Sequence, residues 1–170
     1  MTGLSFGLPK ALKAHRPAFA AALDVALPNP WPESERMLEA EQPKAIGAAL
    51  VATLHRHLDR AAIAYLFREH IEGKLGVAAK CSANVRFLAD RDYTIEFDWQ
   101  AWKALSPEQR IALVDHELCH CAGRDAKGNW TLARHDVEEF TAIVGRYGCW
   151  RPELQGFVRV ASQQADLFPD

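Results

Sequence analysis

Three residues set the chemistry this chain can attempt: His116, Glu117 and His120, which spell H-E-x-x-H within Asp115-His116-Glu117-Leu118-Cys119-His120. On a helix, residues four apart are offset by roughly 40° around the axis and about 6 Å along it, so both imidazoles can reach one metal ion. Glu117 falls beside that face, where its carboxylate can take a proton from a water on the metal. The chemistry implied is metal-assisted hydrolysis. The competing reading is a helix with two solvated histidines.

A catalytic zinc usually has three protein ligands and one open position. Three residues downstream could complete the set: His135, Glu138 and Glu139. Glu139 has a structural alternative, as the capping-box partner of Asp136 at the start of a second helix. Glu138 sits in the first turn of that helix, where a carboxylate also suits the dipole. His135 lies just outside the helix start, with only an exposed loop role as its alternative. It is the favoured third ligand, and Glu138 is the other candidate.

The elements around the motif must hold it in place. Ser106-Pro107-Glu108-Gln109 is a helix start: Ser106 as N-cap, Pro107 at the first helical position, Gln109 closing a capping box. Ile111, Leu113, Val114, Leu118 and Cys121 then form a broad apolar face, beside a stripe of Ala112, His116 and His120. Gly123 is the expected stop. Asp115 is either a solvated charge or, with Asp136, an acceptor that orients a ligand imidazole.

Upstream, Pro43 opens a helix that presents Ile46, Ala49, Leu50, Val51, Thr53, Leu54 and Leu58, with His55 and His57 as surface or boundary residues. Ala61–Phe67 reads as a strand, Lys74-Leu75-Gly76 as a turn and Val77–Lys80 as a short strand. Tyr93–Phe97 alternates as a half-buried strand. That strand precedes the motif helix, where an open sheet edge could pair with an extended peptide. Trp99 and Trp102 read as packing anchors. Downstream, Gly123–Trp130 reads as a polar loop. The second helix buries Val137, Phe140, Ile143, Val144 and Tyr147 and ends at Gly148. Residues 1–43 read as a peripheral segment: an alanine-rich helix between Leu12 and Leu27 interrupted near Pro17, a proline-rich stretch in which Trp31 pins the chain to the core, and an acidic surface from Glu33 to Glu41.

The chain has 170 residues and a formal net charge of −2, which suits a soluble domain and not a strongly basic nucleic-acid binder. Arg56, Arg60, Arg68, Lys74, Lys80, Arg86 and Arg91 are interleaved with Asp59, Glu69 and Glu72 and read as a solvated surface. No stretch reaches membrane-span length and no secretion signal leads the chain, so a cytoplasmic location with no membrane partner is expected. Cys81, Cys119, Cys121 and Cys149 are then expected as reduced thiols, with Cys119 and Cys121 as small core residues.

His116-Glu117-Leu118-Cys119-His120 followed by His135-Asp136-Val137-Glu138-Glu139-Phe140 resembles the phage metallopeptidase family. The likeness extends through Trp102, Leu105-Ser106, Ala112–Asp115 and Gly148-Cys149-Trp150, over roughly residues 44–150. More distantly, the chain is similar to the SprT-like (Spartan) proteases, although Asp136 stands where those carry glycine and Phe140 lies one residue later. The resemblance implies an α+β, compact zincin-like domain, a small sheet packed against helices with the motif helix central. It also implies a zinc-dependent peptidase acting on a protein or peptide, with zinc on His116, His120 and His135 and Glu117 as the base.

Gln164-Ala165-Asp166-Leu167-Phe168, in the 151–170 tail, resembles the pentapeptide that binds the bacterial sliding clamp. Leu167 and Phe168 suit a hydrophobic pocket, Gln164 supplies an amide, and Asp166 matches the pattern. Such bulky apolar residues otherwise fit poorly in a polar tail. Tethering to replicating or repaired DNA would follow. Two other functions compete: a clamp-binding adaptor with a structural or vestigial zinc, whose fourth ligand could be Cys119, and a zinc hydrolase of a non-peptide bond.

Overall fold

The computed structural model describes residues 6–135, 140–151 and 155. In chain order its main elements are α1 (Arg16–Leu23), β1 (Met37–Glu39), α2 (Glu41–Thr53), β2 (Ile63–Arg68), β3 (Gly76–Lys80), α3 (Ala83–Ala89), β4 (Tyr93–Asp98), α4 (Trp99–Ala104), α5 (Pro107–His120), β5 (Cys121–Arg124), β6 (Trp130–Leu132) and α6 (Thr141–Tyr147). The α+β class is as expected. A mixed sheet runs β1-β2-β4-β3, with β2 and β4 parallel and the outer pairs antiparallel.

Period-two alternation puts Tyr65 and Phe67 of β2 and Tyr93, Ile95 and Phe97 of β4 in the core. Their parallel register sets Tyr65 beside Ile95 and Phe67 beside Phe97. Ile46 and Leu50 of α2 and Ile111, Val114 and Leu118 of α5 join the same buried cluster. Trp102 is a packing anchor, as expected: its ring centroid lies 5.7 Å from Phe67 and 5.1 Å from Phe97. Gln42 is buried and fully used. Its amide nitrogen donates to the Leu23 and Val25 carbonyls, and its oxygen accepts from the Trp102 indole and Arg110. One side chain thus ties α1, α2, α4 and α5 together.

Several sequence expectations are corrected. The sheet edge beside α5 is β3, because β4 is paired on both sides and the other edge strand is β1. Residues 6–40 are not merely peripheral: Phe6, Leu8, Leu12, Phe19, Ala22 and Leu23 enter the main core, and Trp31 stacks 5.9 Å from Trp99. The expected interruption near Pro17 is present: a 3-10 helix over Lys10–His15 gives way to α1, whose first turn holds Pro17, as its missing N–H allows. Within the acidic stretch, Met37–Glu39 pairs with β2 as β1. Helix α5 ends at His120, three residues before Gly123.

Gly123 instead sits in the β5–β6 hairpin with φ +83°, a conformation that suits glycine, where a polar loop was expected. Asp125 builds the turn: its side chain accepts the Lys127 and Asn129 amides, and Gly128 follows at φ +82°. The short helix α3, capped by Ser82, was not anticipated. Among the described residues, no helix is long and apolar enough to cross a membrane.

Candidate metal centre

Helix α5 starts as its sequence demands. The Ser106 hydroxyl accepts the Gln109 amide, the Gln109 side chain accepts the Ser106 amide, and Pro107 takes the first turn. From Ile111 to Leu118 every residue is buried, including Asp115, His116 and Glu117 at 0%, 6% and 3% exposure. Three consecutive buried polar side chains need three sets of partners.

His116 and His120 point together, as the four-residue spacing requires, and His135 joins them. Ligand atoms of the three lie within 4.8 Å of one another. The Nε2 atoms of His116 and His135 are 3.2 Å apart. A tetrahedral zinc with Zn–N near 2.0–2.1 Å holds its nitrogens about 3.3 Å apart, so this spacing fits zinc. The hairpin explains how His135 arrives. Ala133, just past β6, is clipped to the end of α5 in both directions: its amide donates to the His120 carbonyl at 2.8 Å, and its carbonyl accepts from His120 Nδ1 at 3.0 Å. A carbonyl can only accept, so Nδ1 carries the proton and Nε2 keeps its lone pair for a metal. The second contact therefore sets the tautomer of one candidate ligand, while the first places another candidate two residues on.

Phe140 walls the cluster, its ring 5.4 Å, 4.8 Å and 5.1 Å from those of His116, His120 and His135. Trp150 stands 6.4 Å from His116. Glu117 turns the other way, toward β3. A Cβ placed on Gly76 would meet Glu117 Oε1 at 2.7 Å, so glycine there leaves room for the carboxylate. Between β3 and α5 lies a cleft of about 290 Å³, lined by the three histidines, Glu117, Gly76–Ala78 and Trp150.

Asp115 serves neither alternative read from the sequence. It is not solvated, and its carboxylate holds other elements. Oδ1 accepts from His55 Nε2 at 2.6 Å and from Arg146 at 3.0 Å. Oδ2 accepts from Arg146 Nε at 2.8 Å and from the Tyr147 hydroxyl at 2.9 Å. Burial alone would raise this carboxyl. The hydrogen bond and charge of His55, with those of the Arg146 guanidinium, reverse that and hold it below the usual carboxylate range. The same network pushes the Tyr147 hydroxyl upward, through burial and the nearby Asp115 charge.

His55, read as a surface or boundary residue, is 5% exposed because the chain turns inward after α2 ends at Thr53. His57 stays exposed, as expected, with its Nε2 3.0 Å from the Cys121 carbonyl. Cys121 is a core thiol, as expected, pushed up to about 12 by burial and the Glu117 charge. Cys119 groups with His55 and Asp115 and lies outside the three-histidine set.

Glu138, the alternative ligand, Glu139 and Asp136 lie outside the described residues, as do Gln164, Asp166, Leu167 and Phe168 of the tail. Sequence reasoning missed Gly76, Trp150, and the His55–Asp115–Arg146–Tyr147 network. The only signal for Gly76 was a glycine at the start of a strand.

The family described as "Putative phage metallopeptidase" matches residues 35–162. No curated protein and no solved structure matches the chain.

Proposed function

The chain belongs to the phage metallopeptidase family, and on that premise we propose that it is a zinc-dependent peptidase with His116, His120 and His135 as ligands and Glu117 as the base. The observation that carries this reading is the convergence of three imidazoles, with a buried carboxylate on the next helical position, on one cleft beside an open strand edge. Zinc in such a site supplies Lewis acidity, acidifying a water and polarising a carbonyl oxygen.

The protein's own groups do the rest. An extended peptide adds to the free edge of β3, whose backbone groups fix its register over the cleft. Glu117 accepts the proton of the attacking water at a carboxylate oxygen, then donates it to the amine nitrogen that leaves. Phe140 and Trp150 cover the His116 side of the cluster, where the imidazole is buried, while His135 stays open to solvent. The His120–Ala133 hydrogen bond holds one ligand in the correct tautomer throughout. Gln164-Ala165-Asp166-Leu167-Phe168 belongs to the same reading as a tether to a sliding clamp, which would bring the peptidase to proteins on DNA.

Zinc per chain, measured by elemental mass spectrometry, tests the site. The wild type should hold about one, and His116→Ala and His135→Ala should each lose it. Glu117→Gln should keep the zinc and lose peptide cleavage. A folded wild type that takes up no supplied zinc, or a Glu117→Gln variant that cleaves normally, would sink the proposal.

A further inference from the structure

A second cavity, about 520 Å³, adjoins the catalytic cleft. The two share a sill formed by Gly73, Lys74, Leu75, Trp150 and Arg151. Resting on the peptidase reading above, we propose that this chamber is a substrate-specificity site that takes an apolar side chain followed by a carboxylate, on the amine side of the cleaved bond.

The side follows from Glu117. Its proton must reach the amine nitrogen, so the amine half of a substrate passes close to that carboxylate. Glu117 lies against Gly76, the first residue of β3. The residues before Gly76 are those of the sill. A substrate whose amine half runs past Gly76 toward Gly73 lies antiparallel to β3, the relation β3 already has with β4 on its other side. The chamber then receives the residues just after the cleaved bond.

Its chemistry follows from the lining. Ile71, Leu75, Leu105 and Trp150 give it apolar walls. The one carboxylate among the described lining residues, Asp98, is 3% exposed and fully engaged. Oδ1 accepts the Ala101 amide at 2.7 Å. Oδ2 accepts the Ile71 amide at 2.6 Å and lies 2.8 Å from His70 Nδ1. Glu69 and Glu72 of the same loop are not among its described lining residues. The charge offered to a ligand at the sill is therefore that of exposed Lys74. Apolar walls under a cationic rim favour an apolar residue with an acidic neighbour and disfavour a basic one.

Zinc-loaded Glu117→Gln, which should bind without cutting, is titrated with two fluorescein-labelled peptides, identical except for Asp-Asp or Lys-Lys after the apolar residue. The acidic peptide should bind about fivefold tighter, the upper end of the scale of one partly screened ion pair. Lys74→Glu should bring the ratio to one or invert it, and Gln100→Glu, another exposed lining position, should lower it independently. Equal affinities in the parent, or a ratio unmoved by Lys74→Glu, would overturn the proposal. In a mixed peptide library, wild-type cuts should fall before an apolar residue followed by Asp or Glu. Acidic residues confined to the other side of the cut would overturn the direction. A zinc-loaded wild type that cuts nothing in the library would defeat the peptidase reading, and the binding ratio would still decide the chamber.

Discussion

Gly76→Ala tests the close approach of β3 to the proposed base. The added methyl carbon would stand 2.7 Å from Glu117 Oε1, 3.0 Å from Cδ and 3.1 Å from Cγ. Ordinary contact begins near 3.4 Å, so the carboxylate must retreat by about 0.7 Å. The open space beside Glu117 is the cleft it lines, so any retreat moves the carboxylate from its place there. Its Cγ is also within the close shell, so a rotation of the terminal carboxylate alone does not relieve the clash. A misplacement near 1 Å at a reacting group costs on the order of 100-fold in rate, about 2.7 kcal/mol.

The fold should tolerate the change, because Gly76 does not need a positive φ and alanine in a strand costs no more backbone entropy than glycine. Expected together are one zinc per chain, a midpoint of unfolding within a few degrees of wild type, and a kcat on a labelled unstructured protein lower by about 10- to 100-fold. Gly145→Ala is the control: its Cβ meets nothing within 4 Å and it lies in α6. Wild-type kcat in a folded, zinc-loaded Gly76→Ala would refute the placement of Glu117 against β3, and with it the argument that glycine is required there.

Three further outcomes are expected. Asp115→Asn leaves the Arg146 guanidinium without its charge partner in a buried site, so urea unfolding should show a loss of about 3–5 kcal/mol, as for other broken buried pairs; a loss below about 1 kcal/mol would mean that the network does not hold α6 to α5. Burial pushes the Glu108 carboxyl up, but bonds from its own amide, the Gly7 amide and the Ser106 hydroxyl outweigh this and set it below its usual value. Its stabilising contribution is therefore complete above the unfolded value near 4.3 and is lost as pH falls through the folded one. The acid limb of a stability–pH curve should be shallower in Glu108→Gln, and an identical limb would count against those bonds. Finally, purified sliding clamp should retain the full chain, and Leu167→Ala/Phe168→Ala should abolish retention; equal recovery would remove the tail from the proposed function.

The motif helix was legible because each of its signals is local. Ser106, Pro107 and Gln109 mark its start, and its apolar spacing marks its buried face. His135 was legible only by elimination, because what delivers it is a hairpin whose sequence reads as a loop. β5 is four residues, β6 is three, and Asp125 and Gly128 look like any polar turn. His55 was misread because the helical pattern that made it peripheral ends at Thr53, two residues earlier. The edge strand was misassigned because chain order placed β4 next to α5. Sheet order is set by long-range pairing, which spacing within one segment does not encode.

The centrality of α5 follows from three consecutive residues. Successive helical positions turn by about 100°, so Asp115, His116 and Glu117 face three directions at one level of the helix. Asp115 meets His55, Arg146 and Tyr147, His116 meets His135 and Phe140, and Glu117 meets Gly76 of β3. A helix that is polar on three sides is stable in a core only if every side has a partner, since an unpaired buried charge costs several kcal/mol. Moving one turn along the helix repeats the pattern: Cys119 shares Arg146 with Asp115, His120 joins His116, and the Cys121 thiol donates back to the Glu117 carbonyl. The domain thus surrounds this helix because its sequence leaves no face for solvent at that level. The surrounding elements deliver the third histidine, the shield and the room for the carboxylate. Replacing any one of the three therefore disturbs a different set of partners, and variants of Asp115 should lose stability before they lose zinc, whereas variants of His116 should lose zinc first.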